Sequence, residues 1–245
     1  MDAGPLETSE ASNGKPIRWQ GPGHGDAPRI AVVIDDLGRS LREVERLSSL
    51  GVPISYAVLP YEIRTQEVVR RLSESQLEIL LHLPMEARGG NNPGPGAVLQ
   101  GMSPDEVQAV TRAAVAAVPG LVGANNHMGS SISADRQAMQ GVLTVVREAG
   151  LFYLDSRTGS DTVGFSMARE LGIPAAERQV FLDTKIDREW IRGQFQVLLR
   201  EAEARGAAVA IGHPYAETLD ILDEEVPRAL ERGFQFVRVS ELLDR

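Results

Sequence analysis

The sequence predicts an α/β fold in which parallel strands close, or nearly close, into a barrel with helices outside. Three observations lead there. Apolar runs of strand length alternate with amphipathic helical stretches from position 29 onward. The first run, Ile30-Ala31-Val32-Val33-Ile34, is continuous and suits a strand covered on both faces. About eight such runs fit into a chain whose length suits a single βα barrel.

Positions 1–28 carry Gly4, Pro5, Gly14, Pro16, Gly21, Pro22, Gly23, Gly25 and Pro28 with few large apolar side chains. Such a composition cannot offset its own ordering entropy. The stretch, which holds His24, reads as a flexible leader or linker, and 29–245 as the barrel domain. After the first strand, Ser40 is placed to cap a helix with Leu41, Val44, Leu47 and Leu50 on one face and Gly51 as its stop. A second strand covers 54–59, a helix 65–72 and a third strand 78–81. A long loop from Pro84 to Met102 follows, and loops of that length are often functional. Ser103 and Pro104 then open a helix reaching about 118. Strand 121–124, helix 135–148, strand 151–154, helix 162–171 and strand 179–182 come next. A long helix over 187–204 leads to a strand over 208–211. The last helix, 218–231, is expected to break near Pro227, and a strand over 235–239 closes the chain.

Composition removes several functions. The chain has no cysteine, which excludes disulfides, thiolate zinc sites and a cysteine nucleophile. Its net charge is −9, from 34 acidic and 25 basic residues, and no dense basic run marks a nucleic-acid surface. No apolar run approaches the ~18 residues of a membrane span, and the N-terminal stretch lacks the regions of a signal peptide. Gly38 stands alone after the first strand, so dinucleotide and P-loop motifs are missing. Gly129-Ser130-Ser131-Ile132-Ser133 does not match a nucleophile elbow.

In parallel α/β folds, ligands sit at the carboxyl ends of the strands. The first polar residues beyond the predicted strands are Asp35-Asp36, His82, Asn125-Asn126-His127, Asp155-Ser156, Asp183 and His213. Three of the four histidines fall on this rim. Asp35 and Asp36 point in different directions, so one carboxylate can bind a metal while the other takes a proton from water. The imidazoles of His82 and His127 suit zinc, and with one aspartate they leave a coordination position open, as catalytic sites do. Glu86 is a weaker ligand candidate, because Pro84 argues against a helical turn joining it to His82. His213, between Gly212 and Pro214, can serve as general acid or as a third imidazole ligand. Asp155 and Asp183 suit either orienting a histidine or capping a turn, and Ser160 is placed to cap the next helix.

Five blocks in this order resemble the divergent polysaccharide deacetylases, a bacterial branch related to the metal-dependent carbohydrate-esterase deacetylases. They are Val33-Ile34-Asp35-Asp36-Leu37-Gly38, Leu81-His82-Leu83-Pro84-Met85-Glu86, Asn125-Asn126-His127-Met128-Gly129-Ser130, Leu154-Asp155-Ser156-Arg157-Thr158 and Ile211-Gly212-His213-Pro214. The resemblance covers about 30–243 and implies a distorted (β/α) barrel of about seven to eight parallel strands. It also implies a metal-dependent hydrolase that removes acetyl groups from a poly- or oligosaccharide in the periplasm or cell envelope. In the wider group the first aspartate of the pair is the general base and the second a metal ligand, roles that fall on Asp35 and Asp36. Two histidines spaced His-x-x-x-His complete its ligands. His82 matches the first, Glu86 stands in place of the second, and His127 becomes the replacement. The late aliphatic-x-His motif matches Ile211-Gly212-His213 and makes His213 the acid. The group's aromatic and arginine motifs have no recognisable counterpart. The expectation is one divalent ion, zinc, on Asp36, His82 and His127, with Asp35 and His213 in the chemistry. Glu86 favours a competing expectation, a non-catalytic envelope glycan-binding or scaffold protein with a decayed deacetylase site. A metal-dependent hydrolase of something other than acetyl groups is a third.

Overall fold

The apolar run at the start of the expected domain forms β1 (Arg29–Leu37), the strand around which the others are arranged. The computed structural model describes residues 27–243, so most of the expected leader, His24 included, lies outside the described residues. Strands and helices then alternate: α1 (Leu41–Ser48), β2 (Ser55–Val58), α2 (Thr65–Glu74), β3 (Glu78–Met85), α3 (Pro104–Ala117), β4 (Gly123–Met128), α4 (Arg136–Glu148), β5 (Phe152–Asp155), α5 (Gly164–Glu170), β6 (Ala175–Glu177), β7 (Val180–Phe181), α6 (Arg188–Arg205), β8 (Ala207–Gly212), α7 (Ala216–Glu231) and β9 (Gln235–Phe236).

The helix signals read from the sequence act locally. Ser40 accepts from Arg42 N, Ser103 and Glu106 form a reciprocal capping box with Pro104 at the first helical position, and Asp187 accepts from Trp190 N. Two expectations fail. Ser160 caps nothing, since α5 starts at Gly164 after an N-cap Val163 that makes no side-chain bond. The last helix runs unbroken through Pro227, where buried Val226 and Ala229 flank the proline and packing outweighs the lost backbone hydrogen bond.

The sheet order is β6-β5-β4-β3-β2-β1-β8-β7, with every pairing parallel and β9 added beside β1. The two end strands are consecutive pieces of one extended run. Arg178 N still bonds Asp155 O on the β5 side, whereas Gln179 N bonds Val209 O on the β8 side. A single stretch therefore changes partners and brings the sheet round into a distorted barrel with a seam. Gln179 seals that seam with its side chain, which accepts from Val209 N and donates to Glu177 O.

Alternation along the strands sorts side chains into two layers. Ile30, Val32, Ile34, Ile79 and Leu81 pack under the helices, while Ala31, Val33, Leu80, Phe152, Leu154, Val209 and Ile211 fill the barrel. Gly123 belongs to the inner layer, and a Cβ there would lie 2.5 Å from the Phe152 ring. The expected final strand is shorter than predicted, and a 3₁₀ turn, Val239–Leu242, plugs the barrel floor with Val237, Val239, Leu242 and Leu243.

Buried Glu78 ties this plug to the strands. Its Oε1 accepts from Ser55 Oγ at 2.7 Å and Ser240 N at 3.4 Å, and Ser55 Oγ accepts from Val239 N at 3.1 Å. Burial raises its pKa from the ordinary glutamate value despite those bonds. A raised folded-state pKa means stability is greatest below the unfolded value and falls as pH rises through the folded one. Glu78→Gln removes that dependence, so the variant's melting temperature should gain on wild type between pH 5 and pH 8. Parallel melting curves would refute the assignment.

Candidate metal centre

The inner-layer alternation continues upward into the candidate residues. Ala31 and Val33 are followed by Asp35, Leu80 by His82, Gly123 by Asn125 and His127, and Val209 and Ile211 by His213. The polar residues expected just beyond the strands thus lie mostly inside them, because β3 continues to Met85 and β4 to Met128. Asp36 breaks the alternation. The β1–β2 register shifts between Ile34 and Leu37, and Asp36 takes φ +58. This bulge lets two adjacent carboxylates turn toward one centre.

Asp36 Oδ1 lies 3.2 Å from His82 Nε2 and 2.9 Å from His127 Nδ1, and the two nitrogens are 3.2 Å apart. His82 Nδ1 sits 2.8 Å from Asn125 Oδ1, which can only accept, so the Nδ1 proton is committed there and Nε2 is left as a lone pair. Asp36 Oδ1 is a buried oxygen without a well-formed hydrogen bond, despite the two short distances. Three lone pairs facing one another repel unless a cation or a proton sits among them. A tetrahedral ion with bonds of about 2.0–2.2 Å spaces its ligand atoms at roughly 3.4 Å, so the triangle is close to preset for one. Asp36, His82 and His127 are the one grouping among the described residues that could hold a metal ion, and they are the three expected from the sequence.

Asp35 is buried beside them. Its Oδ1 accepts from Asn125 Nδ2 at 2.8 Å, and its Oδ2 lies 3.5 Å from His82 Nε2. Burial raises its pKa, outweighing His82, His213 and Asn125. Asp36 moves the other way, since the contacts from His127 and His82 overcome burial and hold it well below the ordinary range. For His82, burial opposes the charged ring, but Asp35 and Asp36 overcome it and raise the pKa.

His213 approaches with Nε2 3.9 Å from Asp36 Oδ2, and it stands outside the triangle. Its Nδ1 is 2.9 Å from Asp183 Oδ1, while Asp183 Oδ2 accepts from His213 N and from Thr218 Oγ1. Burial disfavours the charged imidazole, but the Asp183 hydrogen bond and charge outweigh it and lift the pKa to about 9. Phe181 and Tyr215 each place a ring 5.4 Å from the imidazole.

The hydrogen bonds separate the two strand-end aspartates and place Glu86. Asp183 orients His213, whereas Asp155 organises the β5–α5 loop by accepting from Arg157 N, Thr162 Oγ1 and Phe165 N. Glu86 is no part of the triangle; its Oε2 accepts from Gln100 N at 2.8 Å and anchors the long loop. Asn125 is the residue whose role the sequence reading missed, although its place two positions before His127 on the inner face was a usable signal.

The model of the divergent polysaccharide deacetylases matches residues 32–243. The chain belongs to that family. It is 34% identical over 218 residues to the uncharacterised protein YibQ of Escherichia coli K12, covering 89% of this chain and 68% of YibQ. An uncharacterised Agrobacterium tumefaciens C58 protein superposes with a TM-score of 0.82 at 23% identity, covering 93% of this chain and 92% of its own. The same fold appears in a mutant CE4-family pseudoenzyme of Bacillus anthracis with restored enzymatic activity (TM-score 0.58, 16% identity, 94% and 72% covered). It appears too in a family 4 acetyl xylan esterase from Clostridium thermocellum in complex with cobalt (TM-score 0.55, 15% identity, 87% and 89% covered). No helix among the described residues is long and apolar enough to cross a membrane.

Asn125 joins His82 to Asp35, so Asn125→Ala should disturb both. Groups that orient a metal-binding histidine typically contribute 10–100-fold in affinity. Calorimetric zinc titration should show a loss of about that size, and unchanged affinity would remove Asn125 from the centre.

Proposed function

We propose that this protein is a zinc-dependent hydrolase that removes acetyl groups from a glycan of the bacterial cell envelope. The observation that carries the reading is the convergence of Asp36, His82 and His127 on one point, with Asp35 and the Asp183-held His213 both beside it. A divalent ion held by the three side chains would supply Lewis acidity toward the acetyl carbonyl and acidify water. Asp35 is the base: Asn125 fixes its Oδ1, and Oδ2 is left to take a proton from the attacking water. His213 is the acid, with Asp183 fixing Nδ1 so that Nε2 faces the centre and protonates the departing amine or alkoxide. Acyl transfer to water needs a base and an acid, and each typically contributes 10²–10⁴-fold.

Family membership supports the acetylated glycan as substrate and the envelope as location, and the imidazole-rich ligand set supports zinc. The non-catalytic glycan-binding reading draws on Glu86 standing where a second histidine would be.

The test is metal content after mild purification, followed by acetate release from acetylated oligosaccharides. Stoichiometric zinc and acetate release are expected. His82→Ala and His127→Ala should each abolish zinc retention, while Asp35→Asn and His213→Ala keep zinc and lower turnover by about 10²–10⁴. An empty site in His213→Ala would make that residue a ligand. Metal-free wild type that still binds glycan would establish the non-catalytic reading instead.

A further inference from the structure

Beside the centre, a cleft of about 100 Å³ opens between the loops after β1, β2 and β3 and ends on His127. Pro60, Pro84, Pro93 and Pro95 contribute to its walls, together with Tyr61. Walls of proline carry rigid backbone and apolar ring faces, so an occupant loses little free energy ordering them. Tyr61, partly exposed, packs against the loop as well. A Cβ on Gly96 (φ +71) would lie 2.1 Å from Tyr61 Cε2, so the aromatic ring lies directly against glycine backbone. At the mouth, Arg39 and Glu62 form a 2.8 Å ion pair that presents planar polar groups to anything entering.

The two histidines of the triangle differ in a way that points to the occupant. A metal-bound imidazole nearly always donates its other ring N–H to an acceptor. His82 does so through Nδ1 to Asn125. His127 turns Nδ1 toward Asp36, which leaves Nε2 to carry the proton, and no acceptor among the described residues meets it. His127 lines the cleft and its side chain is 20% exposed. An occupant of the cleft is placed to supply the acceptor that the described residues do not.

We propose that the cleft is a subsite for the sugar unit adjoining the acetylated one, and that a hydroxyl oxygen of that unit accepts from His127 Nε2–H. The proposal rests on the deacetylase reading for the identity of the glycan. The apolar face of a pyranose fits against Tyr61 and the prolines, and its hydroxyls meet His127 and the Arg39–Glu62 pair. Occupying the cleft would thereby complete the surroundings of a metal ligand. By reciprocity, the sugar and zinc should then strengthen each other's binding.

Calorimetry on the zinc-loaded protein, in an Asp35→Asn background that suppresses turnover, tests this with N-acetylglucosamine, its β-1,4-linked dimer and N-hexanoylglucosamine. The dimer should bind at least about 10-fold more tightly than the monomer. Tyr61→Ala, and separately Pro95→Glu from an exposed loop position, should erase that preference while the melting temperature and sugar-free zinc affinity hold. Saturating dimer should tighten zinc binding severalfold, and the effect should vanish in Tyr61→Ala. Equal affinity for monomer and dimer would overturn the subsite, as would a preference that survives both substitutions. A gain from the hexanoyl chain equal to that from the second sugar would assign the cleft to acyl chains and overturn it too. Acetate release by wild type separates the two readings. Preference for the dimer with no release sinks the hydrolase and keeps the subsite, while equal hydrolysis of monomer and dimer does the reverse.

Discussion

Asp36 adopts φ +58, a left-handed conformation that typically costs a non-glycine residue about 1–3 kcal/mol unless its surroundings impose it. The surroundings here are specific. Leu59 N bonds Leu37 O, Arg64 N bonds Gly38 O, and Thr65 Oγ1 both donates to Leu59 O and accepts from Glu62 N. The β2–α2 loop thus pins β1 immediately after the bulge. Without the extra residue, strict alternation would send Asp36 outward under the helices, and only Asp35 would face the barrel. The bulge turns two neighbouring carboxylates toward the point where His82, His127 and Asn125 gather.

The seam imposes a second constraint. Arg178 sits where the closing strand changes partners. Its Nε donates to Ser156 O and its Nη2 to Arg157 O, both at 2.7 Å, while its guanidinium lies 4.9 Å from the Phe181 ring centroid. Ser156 Oγ in turn accepts from Asn125, and Phe181 packs beside His213. One side chain therefore spans the base half of the centre and the acid half across the place where backbone pairing is interrupted. Burial holds the Arg178 pKa below its ordinary value, the cost of placing a cation among carbonyls and an aromatic ring.

Most of the architecture was legible because its signals are local. Periodicity located nearly every element, and the capping residues Ser40, Ser103 and Asp187 behave as their chemistry dictates. The short β6 was missed, since three residues give alternation nothing to register. Strand ends were misplaced for a different reason. Hydropathy marks where apolar side chains stop, yet β3 and β4 continue through His82 and Asn125-Asn126-His127, with polar residues buried by the site itself. The expected three-residue ligand set converges in space, whereas Asn125 as a connector and Asp183 as the partner of His213 depend on inter-strand register. The Asp36 conformation was not legible at all, because a bulge is a relation between two strands.

Glu86 is the position that sets this chain apart from the wider group's ligand spacing, and its environment bears on whether the centre has decayed. A side chain freed by loss of function has no reason to acquire specific partners. The Glu86 carboxylate has one, accepting from Gln100 N, while its backbone N–H bonds Val98 O and its carbonyl accepts from Ser131 N and Ile132 N. These bonds hold the long loop whose prolines wall the cleft. The proposed third ligand is instead His127 on the next strand, which lines that cleft. The partners of His82 and His213 are specific too, because the hydrogen bonds of buried Asn125 and Asp183 to the two imidazoles offset the cost of their own burial.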